Sequence, residues 1–316
     1  MKINVAYACD ENYIKQTGIS MISLFENNKD VDDITVYLVD FGITEDSIQI
    51  VGQIAKNYGR RLEVIDFGSW RKDLHVKHLG RHIESVYAKI FFGRIEGISK
   101  ILYLDSDIII ADSLKPLWKI DLSEYWIAGV ETISSIKRNQ KMGIGPEDAC
   151  LNDGMLLMNL DNWRENQVEE KCFRHIRRME GEPFVLSEGT LNKVCRNHIL
   201  RLHPRYNLLS GLVYYSGKEI CAMTKRKFYS EKQLEEAREK PCIVHYLCGF
   251  YLRPWNSNCK HPLKQYYETY RELSPWKNEQ RKPGKLKLKL RVIDILHTIL
   301  PWRIFCQLIC ISEVRR

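Results

Sequence analysis

Residues 100–110 read KILYLDSDIII, two aspartates set in an otherwise apolar run. Ile101, Leu102 and Leu104 lead into Asp105 and Asp107, and Ile108 to Ile110 lead out. A carboxylate is costly to bury unless it is paired, hydrogen-bonded or bound to a metal. Continuous apolar character, rather than alternation, marks a strand covered on both faces, as in the middle of a parallel sheet. Side chains alternate along a strand, so Asp105 and Asp107 are expected to project together with Ser106 turned aside. Open α/β sheets place their ligands near the ends of such strands. Two convergent carboxylates there suit a hard divalent cation, magnesium or manganese, that can bridge them to a phosphate. A second D-x-D, Asp30 and Asp32, lies in a polar stretch and reads as a solvated loop. The apolar flanks separate the two.

Working outward, INVAYA (3–8), ITVYLVDFG (34–42) and RLEVIDF (61–67) read as strands. Helical patterns separate them, over 17–28 and from Thr44, a candidate cap, towards Gly59. A helix over 84–98 leads into the aspartate stretch, and 162–180 is a charged amphipathic helix. YWIAGVE (125–131), GMLLMNL (154–160) and CIVHYLCGF (242–250) read as further strands. This alternation predicts an α/β chain, a mostly parallel sheet flanked by helices. After residue 260 the style changes, dividing the chain into a main domain, 1–260, and a helical basic extension, 261–316. There, 261–273 reads as a helix and SPWKNEQRKPGK (274–285) as a linker. Residues 286–300 form a helix with two adjacent apolar stripes: Leu286, Leu290, Ile293, Leu296 and Leu300, then Leu288, Val292, Ile295 and Ile299.

The 316 residues are 44% hydrophobic and 28% charged, a soluble globular balance. The first residues lack the apolar run of a secretory signal, and no window reaches the ~18 apolar residues of a membrane span. Ten scattered cysteines show no CxxC pair or metal-type spacing, which points to reduced, mostly buried thiols in a cytoplasmic protein. Residues 275–316 hold ten of the 48 Lys and Arg but three of the 40 acidic residues, so seven of the eight excess positive charges lie there. The main body is near neutral, and no nucleic-acid partner is expected. Lys285, Lys287, Lys289 and Arg291 border the apolar helix, with Trp302 and Phe305 beyond. That pattern suits peripheral attachment to an anionic membrane surface, on the cytoplasmic face; a terminal helix docked on the protein's own core is the alternative.

Four segments, VAYACDENY (5–13), YLDSDIII (103–110), LNDGMLLMNLDNWR (151–164) and HYLCGFYLRPW (245–255), occur in an order that resembles the retaining glycosyltransferases of family 8. The resemblance spans about residues 3–255. It implies a GT-A (Rossmann-like) fold, a UDP-sugar donor and a divalent metal, manganese with magnesium as the alternative. The implied activity is transfer of a hexose, galactose or glucose, to a hydroxyl of a glycan, glycolipid or glycoprotein. Residue by residue, it implies that Ala8, Asp10, Asn12 and Tyr13 bind uracil and ribose. Asp105, Asp107 and His245 would hold the metal, with Asp105 and Ser106 also at the donor. Gly249 and Arg253 match the glycine and lysine that hold the diphosphate; arginine keeps the charge and adds a bidentate fork. Lys89 falls where relatives carry a basic residue facing the donor, and His82 approaches the donor by the same positional match. Asn152 and Asp153 lie in the sugar-contacting segment, before Gly154, which allows close backbone approach. By residue type alone, Asp10 and Asn12 also suit a plain turn, Lys89 a solvated helix position and His245 a satisfied core site.

One departure stands out. Relatives carry D-Q-D before Leu-Asn, where this chain has LSEGTLN (186–192). Ser187 and Gly189 fall at the two acids and Glu188 between them; a one-residue slip would instead make Glu188 the first acid. Either way Glu188 is expected to be the only carboxylate there, able to bind a sugar hydroxyl, stabilise positive charge or act as nucleophile. Otherwise it is the first-turn acid of a helix capped by Ser187. The altered segment keeps a second class open, a catalytically silent nucleotide-sugar-binding protein. A nucleotidyltransferase ranks lower, because no Gly-rich phosphate loop follows the first strand.

Overall fold

The structure, a computed structural model, describes residues 1–77, 81–247 and 250–314, with the side chains at 81–83 and 310–314 excepted. β1 (Lys2–Cys9) is buried at every residue after the first, and α1 (Ile14–Glu26) packs behind it. β2 (Asp33–Asp40), α2 (Glu45–Asn57) and β3 (Arg61–Asp66) extend the parallel ladder. Thr44 caps α2 as expected, its hydroxyl accepting the Ser47 amide. β4 (Lys100–Leu104) runs parallel to β1, and β6 (Ile127–Gly129), β7 (Met155–Asn159) and β8 (Ile199–Arg201) complete a seven-stranded sheet. Its order is β3-β2-β1-β4-β7-β6-β8, mostly parallel, with β7 antiparallel to both neighbours. Strand alternation sends Ile3, Val5, Tyr7, Leu102, Leu104 and Leu157 into one core, and Ala6, Ile101, Tyr103, Leu156 and Met158 into the other.

The run at 100–110 is two strands, not one. β4 ends at Leu104, and β5 (Ile108–Ile110) belongs to a second, three-stranded sheet of order β5-β10-β9. There β5 lies antiparallel to β10 (Ile243–His245), which runs parallel to β9 (Leu208–Leu209). Asp105 to Asp107 form the turn between the two sheets. The apolar run is continuous because both strands are buried, and burial reports environment, not direction.

Other boundaries move for local reasons. The helix expected over 84–98 is α-helical only at Arg81–Tyr87, then tightens to a 3₁₀ helix over Ala88–Arg94. The helix expected over 162–180 divides into Leu160–Glu165 and Val168–Arg178, broken where Gln167 adopts φ 51°. The stretch 274–285 is not a free linker. The Trp276 ring lies on α1 at Gly18, where a Cβ would come within 2.5 Å of it. Lys15 pairs with Glu279, Arg281 bonds to Glu268 and the Pro254 carbonyl, and the Ser257 amide donates to the Lys282 carbonyl. Of the eight cysteines whose side chains are described, seven are buried.

Candidate active site

The turn between the sheets brings three candidate metal ligands together. β10 pairs His245 with Ile108, and the Tyr246 amide bonds to the Asp107 carbonyl, so the imidazole stands beside the aspartates. His245 Nε2 lies 3.0 Å from Asp107 Oδ1 and 3.9 Å from Asp105 Oδ2. One atom from each residue falls within a 4.8 Å group, a set of two carboxylates and one imidazole that could hold a divalent metal ion. The Asn207 amide oxygen faces His245 Nδ1 at 3.0 Å and holds the ring with Nε2 turned toward the aspartates. Gly154 closes the cradle: a Cβ there would lie 2.5 Å from both Asp105 Oδ2 and His245 Cε1. Its carbonyl accepts the Asp105 amide, and the Tyr103 hydroxyl donates to Asp105 Oδ1. Burial pushes the Asp107 carboxyl up, but His245 and Arg253 outweigh it and hold it below the usual value; Asp105, lifted by burial and by the charges of Asp107 and Asp153 against the pull of Lys89 and His245, ends above it. The i, i+2 spacing therefore does not act through a strand face. It acts through a turn whose partner strand carries the histidine.

Around this set is a cleft lined by Ala8, Asp10, Tyr13, Ser106, Asp107 and Arg253, with Asp105 and Tyr103. Arg253 Nη2 donates to Asp107 Oδ2 at 2.7 Å and Nη1 to the Tyr13 hydroxyl at 2.9 Å, with the rings of Tyr13 and Trp255 beside the guanidinium. Ser106 faces the cleft rather than turning aside, its hydroxyl accepting from Thr17. Asn12 is exposed and bonds back to Asp10 through its backbone amide and its side chain. Gly249 lies outside the described residues, as does the His82 side chain. Asp30 and Asp32 are solvent-exposed, paired with Lys115 and the N-terminus.

A hydrogen-bond chain leads from the metal set to the altered segment. Asn207 donates to Asn152 Oδ1 at 3.0 Å, and Asn152 Nδ2 reaches Glu188 Oε2 at 3.4 Å. Glu188 also accepts from Arg138 Nη2 at 2.9 Å. Burial, then the charge of Asp153, lifts the Glu188 carboxyl to about 7, against the opposing pull of Arg138 and Asn152. Glu188 sits in the first turn of the Leu186–Cys195 helix, but Ser187 does not cap it; the N-cap position is Val185, in the left-handed region at φ 62° and without a side-chain cap. Nor is Glu188 the only carboxylate. Ser187 Oγ donates to Asp153 Oδ2 at 2.5 Å, and Lys89 Nζ reaches the same oxygen at 3.0 Å and the Asp153 carbonyl at 2.9 Å. Lys89 is no solvated helix lysine: it is 1% exposed, its ammonium over the Tyr103 ring. At 189 only glycine fits, since a Cβ would lie 1.8 Å from the Phe184 carbonyl oxygen. Arg138, Asn207 and Tyr103 touch the candidate site, and spacing did not reveal them; only Tyr103, beside the D-x-D, carried a positional hint.

This architecture is that of GT-A glycosyltransferases. The crystal structure of galactosyltransferase LgtC in complex with donor and acceptor sugar analogues matches with a TM-score of 0.69 at 19% identity, over 92% of this chain and 99% of that one. The bifunctional glycosyltransferase WbbM matches with a TM-score of 0.74 at 17% identity, over 88% of this chain and 50% of that one. At such identities the likeness speaks for the fold. The sequence profile of Glycosyl transferase family 8 matches residues 4–259, and the chain belongs to that family. General stress protein A of Bacillus subtilis is 25% identical over 281 residues, 87% of this chain and 94% of its own length. A lipopolysaccharide 1,2-glucosyltransferase of Escherichia coli K12 is 20% identical over 288 residues, 90% of this chain and 81% of its own length.

Proposed function

We propose that the protein transfers a hexose, galactose or glucose, from a UDP-sugar to a hydroxyl of a glycan or glycoconjugate, with retention of configuration. The observation that carries this reading is the convergence of Asp105, Asp107 and His245 beside Arg253, linked through Asn207 and Asn152 to Glu188. Manganese, or magnesium, held by those three residues would offset the charge of the leaving diphosphate. The Arg253 fork, engaged here with Asp107, suits phosphate oxygens at the same spot, and Gly249 is assigned to the diphosphate with it. Ala8, Asp10, Asn12 and Tyr13 suit the uracil and ribose: a carboxylate and an amide for polar edges, a ring for stacking. His82 and Ser106 complete the donor set. Lys89 supplies buried positive charge to the sugar end of the site. Glu188, held by Arg138 and Asn152, stabilises positive charge on the sugar or attacks it as nucleophile; both give retention.

The acceptor class follows relatives named for work on lipopolysaccharide, and the tail agrees with a membrane setting. No helix among the described residues is long and apolar enough to cross a membrane. Yet the Leu288–Ile299 helix presents Leu288, Val292, Ile295 and Ile299 at 47–76% exposure, beside Lys285, Lys287, Lys289 and Arg291. Peripheral attachment to an anionic surface, on the cytoplasmic side, accounts for that stripe.

The second reading, a silent nucleotide-sugar binder, is favoured by Ser187 and Gly189 standing where relatives carry acids. Hydrolysis of UDP-galactose, UDP-glucose and their N-acetylated forms, with manganese and with EDTA, separates the two. Turnover of one donor is expected with manganese and not with EDTA, falling about 10²-fold or more in Asp107→Ala with the melting temperature retained. Full activity in Asp107→Ala sinks the metal assignment, and donor binding without turnover supports the silent binder.

A further inference from the structure

We propose that Tyr214 is a positioning residue for the donor site: held by the C-terminal helix, it sets the loop that carries Arg253. This rests on the glycosyltransferase reading above and extends the site to the tail. The Tyr214 hydroxyl donates to Asp294 Oδ1 at 2.7 Å, and the His297 ring packs on its ring with centroids 4.7 Å apart. Both partners stand on the Leu288–Ile299 helix at i and i+3, and so share one face of it. His297 is fixed in turn by Glu219, whose Oε1 lies 2.8 Å from its Nε2. The Tyr214 ring also packs against Phe250 and Tyr251, with centroids 5.2 and 5.6 Å away. Those two residues lie in the loop between His245 and Arg253.

Ring contacts fix orientation as well as distance, and Phe250 has little room to turn. Its centroid is 5.3 Å from that of Tyr215, and a Cβ at Gly211 would come within 3.1 Å of its ring. Beyond Arg253 the same loop is tied to the stretch that leads into the tail helix. The Gly284 amide donates to Asn258 Oδ1 at 2.9 Å, and its carbonyl accepts from Asn258 Nδ2 at 3.1 Å. The tail thus grips the loop on both sides of Arg253. Tyr214 also ends a short segment that supports the candidate metal site. In that segment Asn207 holds His245 Nδ1, and the Ser210 hydroxyl donates to the His245 carbonyl. The charge pattern of the tail agrees: Asp294 is the only acidic residue from Gln280 to Leu300. On a basic helix suited to an anionic surface a carboxylate is adverse unless it has another partner, and here the partner is Tyr214. One helix therefore carries an outward apolar stripe and a face that holds the site.

The test measures UDP affinity in the presence of manganese, with melting temperature as control, on the full chain. Tyr214→Ala, Asp294→Ala and Asp294→Asn are each made in wild type and in Arg253→Gln. Asp294→Ala removes one hydrogen bond and is expected to weaken UDP binding about 3- to 5-fold, against about 10-fold for Tyr214→Ala. Asp294→Asn keeps an acceptor for the Tyr214 hydroxyl and is expected to retain wild-type affinity. In the Arg253→Gln background neither alanine variant is expected to cost anything further, because both act through Arg253. A merely structural role would leave the losses additive. Asp294 is solvent-exposed, so Asp294→Ala carries the comparison even where Tyr214→Ala melts early. Unchanged UDP affinity in Asp294→Ala, or a loss that persists in full beside Arg253→Gln, overturns the inference while the donor reading stands. A wild type that binds no UDP overturns both.

Discussion

At the residue scale, two cations hold two acids beside the candidate metal site: Arg138 on Glu188 and Lys89 on Asp153. Burial, more than any neighbouring charge, lifts the Glu188 carboxyl from the usual 4.5 to about 7. If its ionised form serves the reaction, activity rises with pH through about 7. Glu188→Gln is expected to abolish that limb and to lower kcat about 10²- to 10³-fold. A pH profile with the limb intact in the variant would assign it to another group. The same shift bears on stability. Between pH 4.5 and 7 the folded protein holds a proton that the unfolded chain has released, so stability falls as pH rises across that window and levels off above it. Glu188→Gln should flatten that slope in urea titrations run at several pH values.

At the element scale, the contacts that matter are close ones. Gly18 lies within α1, where alanine would ordinarily favour the helix by about 1 kcal/mol. A Cβ there meets two carbons of the Trp276 ring at 2.5 and 2.6 Å, and a packed ring has little room to yield. Overpacking wins: Gly18→Ala is expected to destabilise by about 1–3 kcal/mol in urea unfolding. A stabilised variant would show that Trp276 is loosely held. The strap at 276–282 matters beyond α1, because it grips Pro254 and Ser257 in the loop that carries Arg253. The turn at 105–107 shows the same economy of means: ending one strand and starting another in a second sheet puts both aspartates opposite His245.

At the scale of the whole molecule, the tail is docked and exposed at once. Phe305 is fully buried, Asp294 accepts from the Tyr214 hydroxyl, and His297 bonds to Glu219, while the outer stripe of the Leu288–Ile299 helix faces outward. Truncation would therefore cut into the core, and surface substitution is the cleaner experiment. Changing Leu288, Val292, Ile295 and Ile299 to serine is expected to abolish sedimentation with phosphatidylglycerol vesicles at an unchanged melting temperature. Each nearby Lys or Arg adds about 1 kcal/mol of attraction, so binding should also weaken with salt. Vesicle binding that survives the four substitutions would exclude the stripe.

The α/β class, the strands at 3–8, 34–42 and 61–67, the Thr44 cap and the D-x-D were legible because periodicity, propensity and capping act over a few residues. So was the pairing of that motif with the late histidine, through the family resemblance. Three-dimensional placement decided the rest. That 100–110 crosses between two sheets, that Lys89 is buried, and that Asp153 rather than residue 187 brings a carboxylate to Lys89 all depend on contacts between segments tens of residues apart. Local patterns report whether a residue is buried. Which charge meets which in the interior is set by how the sheets and loops pack, and no single stretch of sequence encodes that.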